Sequence, residues 1–531
     1  MRGGTLGTAA LLRLALRLDR VRLAVWVLAI AGITVGGASS VAELYGTPES
    51  RAQLAAGVGG NPAYRAMVGP PFGLGEIGGV VAWRVGFFAA LLVAVMSVLL
   101  VVRHTRAEEQ AGRVELVCAG VVGRRAPLAA GLLLLLGANA VIGLLCALGL
   151  LGLGLGAAGA SALGLAVAGT GCVFGAVAGL TAQLTENART ASGAASCVLA
   201  AAYLLRAVGD SSEATWLSWL SPLGWAQQVR SFADERWEVL ALPLVATLVV
   251  SAAAFALAAR RDVGAGLLPT RPGRASAGGS LRGPLGLAWR LQRGSLVGWT
   301  AGAALGGAAV GSVAGGIGDL VADSPQTVRL LEQLGGVGGL VDSYLALATG
   351  VLGIVASAYA VQAALRLRVE ETDLRAEPVL ATGVTRTSWI TSHLLPAFGG
   401  SALLLTAAGL CAGLVHGIAG GDVAGQLPRV LAGALVQVPG AWFVGGLAVL
   451  LFGAVPRLTA LAWAALTAFL VIGQLGALLQ LPEWLVELSP FTHLPRVPGN
   501  EVTAAPLLWV TGIAAVLVVA GVWTFRRRDV G

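Results

Sequence analysis

RAEEQAGRVE, residues 106–115, returns as RVEETDLRAE, residues 368–377. Arg106, Glu108, Glu109, Arg113 and Glu115 of the first copy match Arg368, Glu370, Glu371, Arg375 and Glu377 of the second at identical spacing, and the register continues to Arg124 and Arg386. Charged residues make up only 12% of the chain, whereas 56% of it is hydrophobic and the mean hydropathy is +0.81. That composition lies well above the apolar share of a soluble domain and identifies an integral membrane protein. The two charged islands are therefore segments outside the bilayer, and their duplication points to a chain made of two similar halves.

Working outward from the islands, apolar runs of about 20 residues or more, long enough to span a bilayer, fall near 23–41, 79–102, 127–152, 157–182, 190–208 and 239–259. A second set falls near 295–316, 343–365, 389–416, 429–452, 457–479 and 506–525. The expected fold is all-α, with about twelve transmembrane helices arranged as two six-helix repeats. A glycine turn near 153–156 is compatible with a re-entrant bend. Further landmarks recur in the same order: RLDRVRLAVW (17–26) with RLQRGSLVGW (290–299), WLSWLSP (216–222) with WLVELSP (484–490), and the identical pentapeptide RRDVG at 260–264 and 527–531. An even number of spans per half makes the repeats parallel rather than inverted. The expected organisation is a first half over 1–263, a cytoplasmic linker over 264–284 rich in Gly, Pro, Ser and Arg, and a second half over 285–531.

All 35 basic residues are arginine. With the N-terminus inside, 26 of them fall in cytoplasmic segments and nine elsewhere (Arg51, Arg65, Arg84, Arg206, Arg230, Arg236, Arg329, Arg429 and Arg496), so the positive-inside rule places both termini in the cytoplasm. The net charge of +8 follows from that sorting and implies neither nucleic acid nor an acidic substrate. The first apolar run reads as a span rather than a cleaved leader, because 295–316 is its internal counterpart.

The absence of lysine excludes a Walker-type nucleotide site, whose Lys must reach the β- and γ-phosphates. No catalytic role and no cofactor is expected in this chain, and any ATP must be handled by a partner. Cys118, Cys146, Cys172, Cys197 and Cys411 have no CxxC spacing and read as small core residues. His104, His393, His416 and His493 have no metal-ligand spacing and no carboxylate within sequence reach, so no metal site is expected. Arg84, near the outer end of the second span, reads as snorkelling. Gln362, Gln437 and Gln474 read as helix-to-helix hydrogen-bonding residues at least as well as substrate contacts. The tryptophan motifs from Trp216 to Pro222 and from Trp484 to Pro490 precede the last span of each half at the outer face, as an aromatic anchor or as part of an outer exit.

On a helix, Glu109 and Arg113 are four residues apart, as are Glu371 and Arg375, which favours an ion pair on one face. One such run would read as a solvated hairpin. Two runs, better preserved between the halves than the spans around them, read as a surface on which something docks.

The pattern Arg-x-Glu-Glu-x-x-Gly-x-x-Glu-Leu, followed by a short loop and Arg, resembles the cytoplasmic segment between the second and third spans of type-2 ATP-binding-cassette permeases, and here it occupies that position in both halves. The resemblance covers essentially the whole chain. A fused twelve-span form without its own ATPase is similar to permeases that export antibiotics, notably polyketides. It implies a type-2 exporter transmembrane fold in a bacterial inner membrane. It also implies two copies of a separate ATP-binding-cassette subunit that carry ATP and Mg, and a small amphiphilic substrate moved outward. The ten charged residues above would then belong to the coupling helices that contact those subunits. Arg17, Arg20, Arg290 and Arg293 would lie on interfacial elbow helices, and ATP-driven closure of the partners would rock the halves about a central cavity. The second copy departs from the pattern: Leu374 stands for Gly112 and Pro378 for Leu116. The competing readings are an ion-coupled secondary transporter, which would need acidic residues at mid-membrane depth that these spans almost entirely lack, and a non-transporting membrane scaffold or immunity protein. Neither accounts for the duplicated charged segment.

Overall fold

The computed structural model describes residues 5–59, 62–120, 122–262, 264–268, 275–276, 278–281, 283–322, 336–475, 482–499 and 502–529. The chain separates into two compact units, Met1–Pro272 and Gly273–Gly531. Eleven helices among the described residues are long and apolar enough to cross a membrane.

In the first unit the spanning helices are α1 (Thr8–Leu44), α2 (Ile77–Gln110), α4 (Ala126–Gly152), α5 (Ala157–Leu184), α6 (Ala188–Ser211) and α7 (Trp237–Ala258), with a short α3 (Arg113–Cys118) after α2. The second unit contains α8 (Pro284–Ala322), α9 (Val341–Thr372), a short α10 (Ala376–Leu380), α11 (Arg386–Gly420), α12 (Val423–Ala454), α13 (Leu461–Leu475) and α14 (Ala504–Arg527). The twelfth expected span, 457–479, corresponds to α13. It has 15 described residues, about 22 Å of helix, and its expected continuation at 476–479 lies outside the described residues.

α1 has 37 residues, roughly 55 Å at 1.5 Å per residue, against a hydrocarbon core of about 30 Å. Its basic first third therefore projects beyond the core, and it does so as an unbroken extension of the span. The same is true of the 39-residue α8. Arg17, Arg20, Arg290 and Arg293 thus sit on the projecting ends of long helices and not on separate elbow helices. The expected glycine turn at 153–156 is a tight hairpin between α4 and α5, turned by Gly154 at φ 82°, and the alternative of a re-entrant bend falls away.

In hydrocarbon the helices cannot associate by expelling water, so packing depends on close backbone approach at small residues. α4 and α5 meet at Gly143 and Gly164: a Cβ added to either would fall 2.6 or 2.4 Å from the other's carbonyl oxygen. α8 meets α11 in the same way, with Gly307 and Gly311 against the carbonyls of Ala408 and Ala412. One polar pair is buried between α2 and α4, where the Asn139 amide donates to Ser97 Oγ at 3.1 Å.

Near the outer end of α6, Arg206 is fully buried. It donates to the carbonyls of Ala66 (2.6 Å) and Met67 (3.0 Å), lies 3.5 Å from the Asp210 carboxylate, and sits over the Phe87 and Tyr203 rings. Arg84 lies within a π-helical turn, Ala82–Gly86, and reaches the Tyr45 hydroxyl at 3.0 Å. The two tryptophan motifs adopt different structures. Trp216 lies on a 3-10 turn (Thr215–Leu220), after which Pro222 opens a short helix, whereas Trp484 lies on the helix Glu483–Val486 and Pro490 lies in a turn. Both tryptophans are exposed, as an anchor in the headgroup zone requires.

Candidate functional site

The charged segments hang from the ends of α2 and α9. α2 passes through a second π-turn, Arg103–Ala107, before Glu108. A π-turn rotates the facing of the next helical turn and often marks a functional position. The helix stops at Gly112, whose φ of 73° is left-handed, and its N–H donates to the Glu109 carbonyl at 3.0 Å. In the second copy Leu374 occupies that position at φ 56°, and its N–H donates to the Glu371 carbonyl at the same 3.0 Å. The Gly-to-Leu departure therefore leaves the turn unchanged, although a left-handed residue with a Cβ costs about 1–2 kcal/mol. Pro378 is accommodated in the first turn of α10.

Within each segment the ion pairs differ from the spacing-based expectation. Arg113 binds Glu108, five residues back, with Nε–Oε2 at 2.5 Å and Nη2–Oε1 at 2.8 Å. Arg375 likewise binds Glu370, at 3.0 Å, and also contacts Asp373. The left-handed turn breaks the helical register between glutamate and arginine, so i,i+4 geometry does not apply to Glu109–Arg113 or Glu371–Arg375. The Glu108 carboxylate beside it holds the Arg113 guanidinium above its usual pKa.

Glu109 and Glu371 face inward. Glu109 is 8% exposed and accepts from Arg106 Nη1 (2.7 Å), from Arg261 Nη1 (2.6 Å) and Nη2 (2.8 Å), and from the Gly264 N–H (2.7 Å). Arg106, itself 1% exposed, also donates to the Thr185 carbonyl at the end of α5 and to Ala265 O. Glu371 is 6% exposed. It accepts from Arg528 Nη2 at 2.9 Å and from Arg368 Nη1 at 3.2 Å, while Arg528 Nη1 lies 2.7 Å from its other oxygen.

Arg261 and Arg528 are the second arginines of the two RRDVG pentapeptides. The register arginines add a further repeated bond: Arg124 donates to Arg261 O at 2.9 Å and Arg386 to Arg528 O at 2.7 Å. Two duplicated charged elements are thus one duplicated contact, an ionic clamp that ties the charged segment to the end of the last spanning helix of its own half.

The clamp revises the reading of the ten residues. Arg106, Glu109 and Glu371 are internal, Glu370 is buried against Arg366 and Arg375, and Arg368 is partly covered. Arg113, Glu115, Arg375 and Glu377 are exposed, and Glu108 is half-buried. Preservation of Glu109 and Glu371 is accounted for within each half, by their arginine partners, without a docking partner.

Asp19, in the middle of the basic start of α1, is also buried and binds Arg103 (2.9 Å) and His104 (2.7 Å). His104 therefore has a carboxylate partner after all, one 85 residues away in the chain. No group of three or more His, Cys, Asp or Glu residues able to hold a metal occurs among the described residues. Gln362 donates to Ser295 on α8 at 2.8 Å and Gln437 is buried, in keeping with helix-to-helix roles, while the Gln474 side chain lies outside the described residues.

An all-helical membrane fold carrying this charged segment after the second span of each half is that of the membrane-spanning subunit of an exporter of the ATP-binding-cassette type. The family model described as the multidrug efflux system permease Rv1217c, C-terminal domain, matches residues 9–260 and 281–526. The chain is 47% identical over 528 residues to the multidrug efflux system permease protein Rv1217c of Mycobacterium tuberculosis (strain ATCC 25618 / H37Rv), covering 99% of this chain and 96% of that protein. The chain belongs to this family of efflux permeases. It is a multi-pass protein of the bacterial inner membrane and the translocation subunit of its transporter, in a class that works with a partner ATP-binding subunit.

Proposed function

We propose that this permease carries amphiphilic or apolar drugs outward, driven by two copies of a separate ATP-binding-cassette subunit that hold the ATP and Mg, one copy on each charged segment. The observation that carries the proposal is the duplicated clamp. A segment that only capped a loop would not need a buried carboxylate tied to the last span, whereas a segment that must pass force to the spans does. The exposed residues Arg113, Glu115, Arg375 and Glu377 form the docking face, assisted by Glu108. Arg106 with Glu109, and Arg368 with Glu371, position that face. Charge-assisted contacts to exposed carboxylates and guanidinium groups suit such an interface because their loss weakens binding without disturbing the core. Arg17, Arg20, Arg290 and Arg293 sit among inner-leaflet headgroups, and Trp216 and Trp484 sit in the outer headgroup zone.

Copurification of the permease with its ATP-binding subunits tests this. Glu115→Arg should reduce the bound subunits from two copies to one without lowering the unfolding temperature. Glu377→Arg should do the same in the other half. Retention of both copies in the double variant would remove the segments from the docking site.

A further inference from the structure

A cavity of about 440 Å³ lies in the first half between the projecting part of α1, the charged segment with α3, and the start of α4. That volume is within the range of small-molecule sites, about 300–1,000 Å³. Its wall is apolar, with Leu14 and Leu18 on α1 and Val114 and Val117 on α3. Its polar rim carries Arg103, His104, Glu108 and Arg113. The carboxylates stand behind the guanidinium groups: the Arg103 and Arg113 side chains are 44% and 61% exposed, their partners Asp19 and Glu108 only 2% and 27%. An approaching headgroup therefore meets positive charge first. Arg13, Arg17, Arg20 and Arg22 extend that field along the same helix.

The second half repeats only part of these features: Arg375 pairs with Glu370 as Arg113 does with Glu108, and Arg366, at the position of His104, joins Glu370. In the register that aligns Arg124 with Arg386, Gly131 of the cavity wall corresponds to His393, which is buried and lies 3.2 Å from Gln292. Arg103 corresponds to Leu365 in that register, and Asp19 to Gln292 in the register that aligns Arg17 with Arg290. Where the first half has Gly131 and Arg103, the second has a buried histidine, His393, and a leucine, Leu365.

We propose that this cavity is a binding site for an anionic phospholipid of the inner leaflet, specific to the first half, with the phosphate at Arg103 and Arg113 and an acyl chain against Leu14, Leu18, Val114 and Val117. The site lies directly on the charged segment, so its occupant also fills the space beneath that segment. The proposal stands on the cavity and its rim and does not depend on the docking of ATP-binding subunits.

Native mass spectrometry of the full-length chain, with phosphatidylglycerol and phosphatidylcholine in competition, reads the site. A photoreactive phosphatidylglycerol maps it. The expected result is preferential retention of phosphatidylglycerol, with adducts on α1 and α3. Arg103→Gln should weaken retention about fivefold, the equivalent of one arginine near an anionic headgroup. Gly131→His, which copies the second half, should abolish it; a Cβ there meets Thr105 Cγ2 at 3.2 Å, so its unfolding temperature is checked alongside, and Arg103→Gln serves if that variant misfolds. Inorganic phosphate at millimolar concentration should displace nothing. Equal retention of the two lipids, adducts confined to other helices, or displacement by phosphate alone would overturn the assignment.

Discussion

Removing the Glu109 carboxylate is the most informative single perturbation of the clamp. Glu109→Ala leaves two guanidinium groups, Arg106 and Arg261, with side chains 0% and 11% exposed, and strands the Gly264 N–H as well. Removing one partner of a buried ion pair costs about 3–5 kcal/mol. A unit of this size loses about 2–4 °C of unfolding temperature per kcal/mol, so Glu109→Ala should lower the midpoint by about 6–20 °C in detergent, followed by tryptophan fluorescence. Glu371→Ala should cost less, about 1–3 kcal/mol, because Arg528 and Arg368 are 20% and 31% exposed and water can solvate them. The double replacement Glu109→Ala with Arg261→Ala should cost less than the sum of the singles by about 1–3 kcal/mol, the range seen for groups in one network. Additive effects, or a midpoint within about 2 °C of wild type, would refute the clamp. By the same numbers, glutamate-to-alanine changes in this segment should leave folding intact only at its exposed members, such as Glu115 and Glu377.

The left-handed turns give opposite signs in the two halves. Leu374→Gly should raise stability by about 1 kcal/mol, since the leucine is 61% exposed and little packing is lost, and Gly112→Ala should lower it by a similar amount; thermal unfolding of both variants checks the pair. Arg206→Ala should cost about 3 kcal/mol, because Asp210 and the Ala66 and Met67 carbonyls lose their buried donor, and unfolding should begin in the first half, as reported by hydrogen exchange of α6. Arg84→Ala, which loses one exposed bond to Tyr45, should change stability by less than about 1 kcal/mol and leave transport intact, measured by dye efflux.

What could be read in the sequence was what rests on repetition and composition: the spans, the two halves, and the charged segment at the same place in each. Missing were the contacts between residues far apart in the chain. Glu109 and Arg261 are 152 residues apart, and Glu371 and Arg528 are 157 apart, so helical spacing could not join them and suggested Arg113 and Arg375 instead. A signal was available, since RRDVG recurs unchanged and supplies the buried positive charge that a recurring glutamate needs. The turn at Leu374 gave no such signal, because leucine does not announce a left-handed backbone as Gly112 does. The unbroken α1 was also hidden: a basic approach leading into an apolar run has the same composition whether or not the helix bends between them, and nothing in RLDRVR distinguishes a buried Asp19 from a surface charge.

Transport in sealed inside-out vesicles that contain the permease and its ATP-binding subunits tests the central claim most directly. Uptake of a lipophilic drug should require hydrolysable ATP, stop with a non-hydrolysable analogue, and continue when a protonophore collapses the proton gradient. Uptake that proceeds without ATP and disappears with the protonophore would contradict it.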